Sequence, residues 1–121
     1  MPIRRILVVD DSPTERLALT ELLTHEGYQV ITAENGDQAL ALARTESPDL
    51  VLMDVVMPGI NGYQATRQLQ RDATTKHIPV IICTTKGQEA DRVWGLRQGA
   101  VAYLVKPIDE AALLAAIRSM G

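Results

Sequence analysis

Cysteine is all but missing from this chain. Cys83 stands alone, which excludes an internal disulfide and a cysteine-based zinc cage. Glycine (8 residues) and proline (6 residues) are sparse among 121 residues, so collagen-like repeats, low complexity and disorder are excluded. Basic charge is not in excess either. Twelve Lys and Arg are scattered against fifteen Asp and Glu, for a net charge of −3, and this argues against nucleic acid as a partner. No apolar run approaches the ~20 residues that cross a bilayer, so no membrane insertion is expected. No charged, apolar, small-residue targeting signal opens the chain. What remains is 46% hydrophobic and 22% charged. At this length a single domain buries roughly two-thirds of its unfolded surface, and a small, soluble, cytoplasmic domain is expected.

The apolar pattern changes period repeatedly. Short runs rich in β-branched residues occur at Ile6–Val9, Val30–Ile31, Leu50–Met53, Val80–Cys83 and Tyr103–Val105. All but the second are continuously apolar, as strands covered by helices on both faces would be. The second, within Tyr28–Ala33, is mixed and suits a sheet edge. Helical stretches lie between the runs. Ser12-Pro13-Thr14-Glu15 reads as a capping box, with Ser12 as N-cap, Pro13 at the first helical position and Glu15 reaching back. Leu19, Leu22 and Leu23 follow at helical spacing, and Gly27 stops the helix. Further helices fit Gly36–Glu46, Gly62 to about Asp72, Gln88–Gln98 and a segment capped by Asp109, where Leu113, Ala116, Ile117 and Met120 form one apolar face. The Gln88–Gln98 stretch is the weakest, because Gly95 in its middle costs about 1 kcal/mol relative to Ala. Five strand–helix units in alternation predict an α/β fold, a doubly wound five-stranded parallel sheet with helices on both faces. The chain ends after the fifth helix, so residues 1–121 are expected to be one domain without an output domain.

In open α/β sheets, ligands bind beyond the carboxyl ends of the strands. The first run ends in Asp10-Asp11, the third in Asp54, the fourth in Thr84-Thr85 and the fifth in Lys106-Pro107. Three carboxylates, a hydroxyl and an ammonium thus converge on one rim. Carboxylates crowded together repel, which raises a pKa or recruits a cation. Lys106 offsets one charge, and Mg²⁺ (or Mn²⁺), a hard ion suited to carboxylates and phosphate oxygens, would offset the rest. A carboxylate beside a metal and a lysine suits phosphoryl acceptance as an aspartyl phosphate.

This set, with Met57-Pro58-Gly59 after the central aspartate, resembles the receiver domain of two-component response regulators, of the CheY-like type, over the whole chain. The resemblance implies a flavodoxin-like sheet in the order 2-1-3-4-5. It implies phosphorylation of Asp54 by a histidine kinase. It makes Asp11 the main metal-binding acid with Asp10 behind it, and the Val56 carbonyl a third protein ligand. Lys106 and Thr84 would contact the phosphoryl group, and the Lys106-Pro107 bond would be cis. Thr84 and Tyr103 would form the switch, and the helix four–strand five–helix five surface would meet a downstream protein. Val56, Thr85 and Lys86 fall where the family tunes hydrolysis, and since neither the Val56 nor the Lys86 side chain can accept a water proton, slow autodephosphorylation is expected. The chain would thus be a signalling phosphoacceptor rather than an enzyme. Asp11–Glu15, Asn61–Leu69 and Val93–Ala100 resemble stand-alone regulators of type IV pilus, twitching-motility systems, with chemotaxis-like signalling close by.

Plainer readings exist for each residue. Asp10-Asp11 could be a capping pair, Thr84-Thr85 loop residues, Lys106 a solvated side chain and Tyr103 a core tyrosine. Trp94 suits helix packing or a partner contact equally, and His25 and His77 have no partner at ligand spacing. A flavoprotein on this fold would not place two acids where phosphate binds, a dinucleotide enzyme lacks its G-x-G-x-x-G, and an aspartyl-phosphate phosphatase would want an acid at Val56. The rival that stays open is a receiver that is never phosphorylated and acts only as a protein-interaction module.

Overall fold

The computed structural model describes residues 2–121. Its elements run β1 (Arg5–Val9), α1 (Pro13–His25), β2 (Gln29–Ala33), α2 (Gly36–Glu46), β3 (Leu50–Met53), α3 (Gly62–Arg71), β4 (Val80–Thr84), α4 (Glu89–Arg97), β5 (Ala102–Val105) and α5 (Glu110–Ser119). The five strands form one parallel sheet in the order β2-β1-β3-β4-β5. This is the doubly wound α/β arrangement that the alternating periods predict.

Side-chain alternation along the strands divides the core in two. Leu7, Val9, Val51, Met53, Val80 and Ile82 face α2, α3 and α4, where they meet Ala39, Leu40, Ala65 and Leu69. Ile6, Val8, Leu50, Leu52, Ile81 and Cys83 face α1 and α5, where they meet Leu23, Leu113 and Ile117. Strands buried on both faces read as unbroken apolar runs, and β1, β3 and β4 do so. The Tyr103–Val105 run breaks the expectation of full burial. β5 is the second edge of the sheet, its residues are only half-buried, and Val105 is 44% exposed.

The helix starts follow their caps. Asn35 and Asp109 accept backbone N–H bonds from Gln38 and Ala112. Asn61 and Gln64 form a reciprocal capping box at the head of α3. The box expected at α1 forms only by half. Ser12 Oγ accepts the Glu15 N–H at 3.3 Å, but the Glu15 carboxylate does not fold back. An ammonium group across the rim holds it instead, a charge-assisted bond that a neutral backbone N–H does not match. Among the described residues, no helix is long and apolar enough to cross a membrane.

Candidate functional site

Backbone pairing continues one step past three strands and places the rim residues. The Asp10 N–H donates to Ala33 O, the Asp54 N–H to Val9 O at 3.0 Å, and the Lys106 N–H to Thr84 O at 2.8 Å. Asp10, Asp54 and Lys106 are therefore fixed at the carboxyl ends of β1, β3 and β5. The loop after Asp54 is pinned by α3, since the Gly62 N–H donates to Val55 O at 2.9 Å. A Cβ on Gly62 would overlap the Asp54 carbonyl oxygen, so only glycine lets the helix start this close to the rim.

Asp10 and Asp54 are buried, at 2% and 7% exposure. The Lys106 ammonium donates to Asp10 Oδ2 at 2.7 Å, Glu15 Oε2 at 3.0 Å and Asp54 Oδ2 at 3.2 Å. The other oxygens are also engaged. Asp10 Oδ1 accepts the Ser12 N–H at 2.9 Å and Asp54 Oδ1 the Val55 N–H at 2.7 Å. Burial raises the Asp54 carboxyl above its ordinary value; Lys106 opposes this and the charge of Asp10 adds to it. Burial alone would depress Lys106, but its bonds to Asp10 and Glu15 and the nearby charge of Asp54 outweigh that and raise it. Beneath the rim lies the buried Cys83, whose thiol burial pushes up to about 12; it is a packed apolar residue here.

Asp10, Glu15 and Asp54 each bring a carboxylate oxygen within 4.8 Å of the others. Three carboxylates against one ammonium leave two negative charges in a mostly buried space. Hard oxygen donors with that surplus fit a divalent cation such as Mg²⁺. Glu15 is the member that sequence reasoning missed, since its place in the S-x-x-E pattern assigned it to capping. Its signal was available: the first turn of α1 begins at the same rim. Asp11, by contrast, is exposed and lies outside this trio.

The remaining positions flank the trio. The Lys106–Pro107 bond is cis. Thr84 is fully buried, and its Oγ1 accepts the Lys86 N–H at 3.3 Å. Val56 is 57% exposed on the loop past Asp54, and Thr85 and Lys86 are exposed past β4. Tyr103 is turned toward α4, and its hydroxyl donates to Lys86 O at 2.7 Å and lies 3.0 Å from the hydroxyl of Tyr63.

A doubly wound sheet with acids after β1 and β3, a hydroxyl at the end of β4 and a lysine before a cis proline defines a class, and comparison with known proteins gives the same one. The family model for the response regulator receiver domain matches residues 6–118, and the chain belongs to that family. It is 63% identical to the protein PilH of Pseudomonas aeruginosa over 96% of both chains. It is 47% identical to the response regulator PleD of Caulobacter vibrioides, over 96% of this chain and 26% of PleD. Among solved structures, the chemotaxis protein CheY4 of Vibrio cholerae superimposes with a TM-score of 0.89 at 31% identity, covering 97% of this chain and 98% of that one. The receiver domain of the sensor histidine kinase PA1611 of P. aeruginosa, solved with a magnesium ion coordinated in its active site cleft, superimposes with a TM-score of 0.88 at 31% identity, covering 96% and 95%.

Proposed function

We propose that this receiver domain accepts a phosphoryl group on Asp54 from a histidine kinase and converts it into a change of partner binding. The observation that carries the reading is the buried Asp54 carboxylate 3.2 Å from the Lys106 ammonium, a nucleophile with a counter-charge already in place. In the transfer, a carboxylate oxygen of Asp54 forms the new O–P bond as the P–N bond of the donor phosphohistidine breaks. The bond's electron pair leaves with the imidazole, which takes up a proton from water. Lys106 stands where negative charge gathers on the transferring oxygens. The Thr84 hydroxyl, at the end of β4, is the neutral donor that turns toward the group once it is on Asp54.

A divalent ion would be held by Asp54, Asp11 and the Val56 carbonyl, as the family resemblance implies, with Asp10 behind Asp11, its two oxygens engaged by the Ser12 N–H and Lys106. It would supply charge neutralisation at the phosphoryl oxygens. The magnesium in the PA1611 receiver domain supports this assignment. The chain serves as acceptor and catalyst of its own modification and does not turn over a substrate. The downstream partner meets α4, β5 and α5, where Val93, Trp94 and Val105 are exposed apolar residues. Identity to PilH over nearly the whole chain, with the pilus-type segments noted above, favours a type IV pilus or chemotaxis-like pathway.

The test is phosphorylation by acetyl phosphate and by candidate kinases, with Asp54→Asn beside wild type. Wild type is expected to take up label only with Mg²⁺, and Asp54→Asn to take up none. Label on the Asn variant, or none on wild type with any donor, overturns the reading, and the second result favours the interaction module.

A further inference from the structure

We propose that Tyr63 is a positioning residue: its hydroxyl holds Tyr103 turned in against α4 and thereby sets how readily the α4–β5 face responds to Asp54. The second half rests on the switch reading above. The first half stands on geometry. Tyr63 occupies the first turn of α3, directly after Gly62, whose N–H is bonded to Val55 O. It is 8% exposed, and its hydroxyl lies 3.0 Å from that of Tyr103 and 3.3 Å from Asp91 O on α4. The residue thus links the loop that carries Asp54 to both elements of the switch face.

Counting protons shows why this contact can hold or release. Each tyrosine hydroxyl has one proton to give. Three contacts ask for one: Tyr103 to Lys86 O at 2.7 Å, Tyr63 to Tyr103 at 3.0 Å and Tyr63 to Asp91 O at 3.3 Å. The shortest takes the Tyr103 proton. The Tyr63 proton then serves either Tyr103 or the α4 carbonyl, never both. When it serves Tyr103, that ring is fixed through its oxygen from both sides. When it serves Asp91, Tyr103 keeps only Lys86. A shift of the Asp54 loop moves the head of α3 and so alters which choice is better, and the two arrangements give the face two states rather than a continuous range.

A core tyrosine would explain the burial of Tyr63 but leaves its hydroxyl without a task, and phenylalanine would fill the space as well. Tyr63→Phe is therefore the test, since it keeps the ring and removes the proton. Side-chain carbon and fluorine NMR of the full chain reads the rotamer of Tyr103, and titration with beryllofluoride and Mg²⁺ reads the response to a phosphoryl mimic on Asp54. We expect Tyr103 to hold one rotamer in wild type and to exchange between two in Tyr63→Phe. Affinity for the mimic should fall by about three- to tenfold, the scale of one hydrogen bond, and Tyr63→Phe should cause no further fall in a Tyr103→Phe background. An unaltered Tyr103 rotamer overturns the proposal, as does an equal fall in the Tyr103→Phe background, which marks a purely structural loss. A freed rotamer with unchanged affinity confirms the positioning and overturns the switch reading.

Discussion

The ring of Tyr103 rests on the backbone of Gly95. A Cβ on that glycine would stand 2.8 Å from Tyr103 Cδ2 and 2.9 Å from its Cε2. The glycine that weakens α4 is the space that the tyrosine uses.

Helix propensity and packing therefore make opposite forecasts for Gly95→Ala. Propensity alone favours alanine by about 1 kcal/mol, whereas crowding a packed ring costs about 1–3 kcal/mol. Packing is expected to win, with a net loss near ~1 kcal/mol in urea unfolding. A gain of stability would mean that the ring swings aside freely.

Asp54 should make stability fall as pH rises. Its folded pKa is raised by burial, so at low pH, where both states are protonated, it contributes nothing. Between the ordinary carboxylate value and the raised one, the folded state holds a proton that the unfolded state has released. Above the raised value the folded state carries a buried charge at full cost. Asp54→Asn, uncharged throughout, should be more stable than wild type at neutral pH in metal-free buffer, because it removes a buried charge that the neighbouring Asp10 also repels, and the gap should close in acid. Thermal unfolding from acid to neutral pH tests this, and a gap that widens in acid contradicts it.

Much of this was legible in the sequence alone. Apolar runs marked the strands, and the position just past each run marked a rim residue, because a parallel sheet delivers every strand end to the same side. Three points were not legible. Tyr103–Val105 reads like a central strand, since a local run carries no information on whether another strand pairs beyond it. Glu15 satisfies a capping pattern in sequence, and only the approach of Lys106 from the far end of the chain, 91 residues on, draws it elsewhere. Tyr63 escaped notice for a similar reason: a buried tyrosine looks like packing until its hydroxyl is traced.

Removing Lys106 should expose how much the rim depends on a cation. Lys106→Met leaves Asp10, Glu15 and Asp54 facing one another, and breaking a buried pair of this kind costs about 3–5 kcal/mol. A divalent ion that binds the folded state should return part of the loss. The Tm of the variant is thus expected to rise with Mg²⁺ by more than that of wild type. Equal responses would show that the trio does not attract the metal.

Phosphoryl release should be slow, because neither of the side chains two residues beyond Asp54 and Thr84, Val56 and Lys86, can orient water as an acceptor. Val56 is apolar and Lys86 only donates. In pre-loaded protein freed of donor, Val56→Asn with Lys86→Glu is expected to shorten the lifetime by about tenfold or more, given the 10²–10⁴-fold scale of positioned acid–base groups. An unchanged or longer lifetime places the control elsewhere.

An ammonium group has three protons, and Lys106 has already committed all of them, one each to Asp10, Glu15 and Asp54. A new oxygen arriving on Asp54 must therefore be received by a substitution, with one present partner let go. The Asp10 side chain is 3% exposed and has no water to return to, while that of Glu15 is 45% exposed and does. Glu15 is the ligand that can leave, and it sits in the opening turn of α1, on the face of the sheet opposite α4. Valence at a single nitrogen thus ties an event at the end of β3 to α1, through the carboxylate that Lys106 releases.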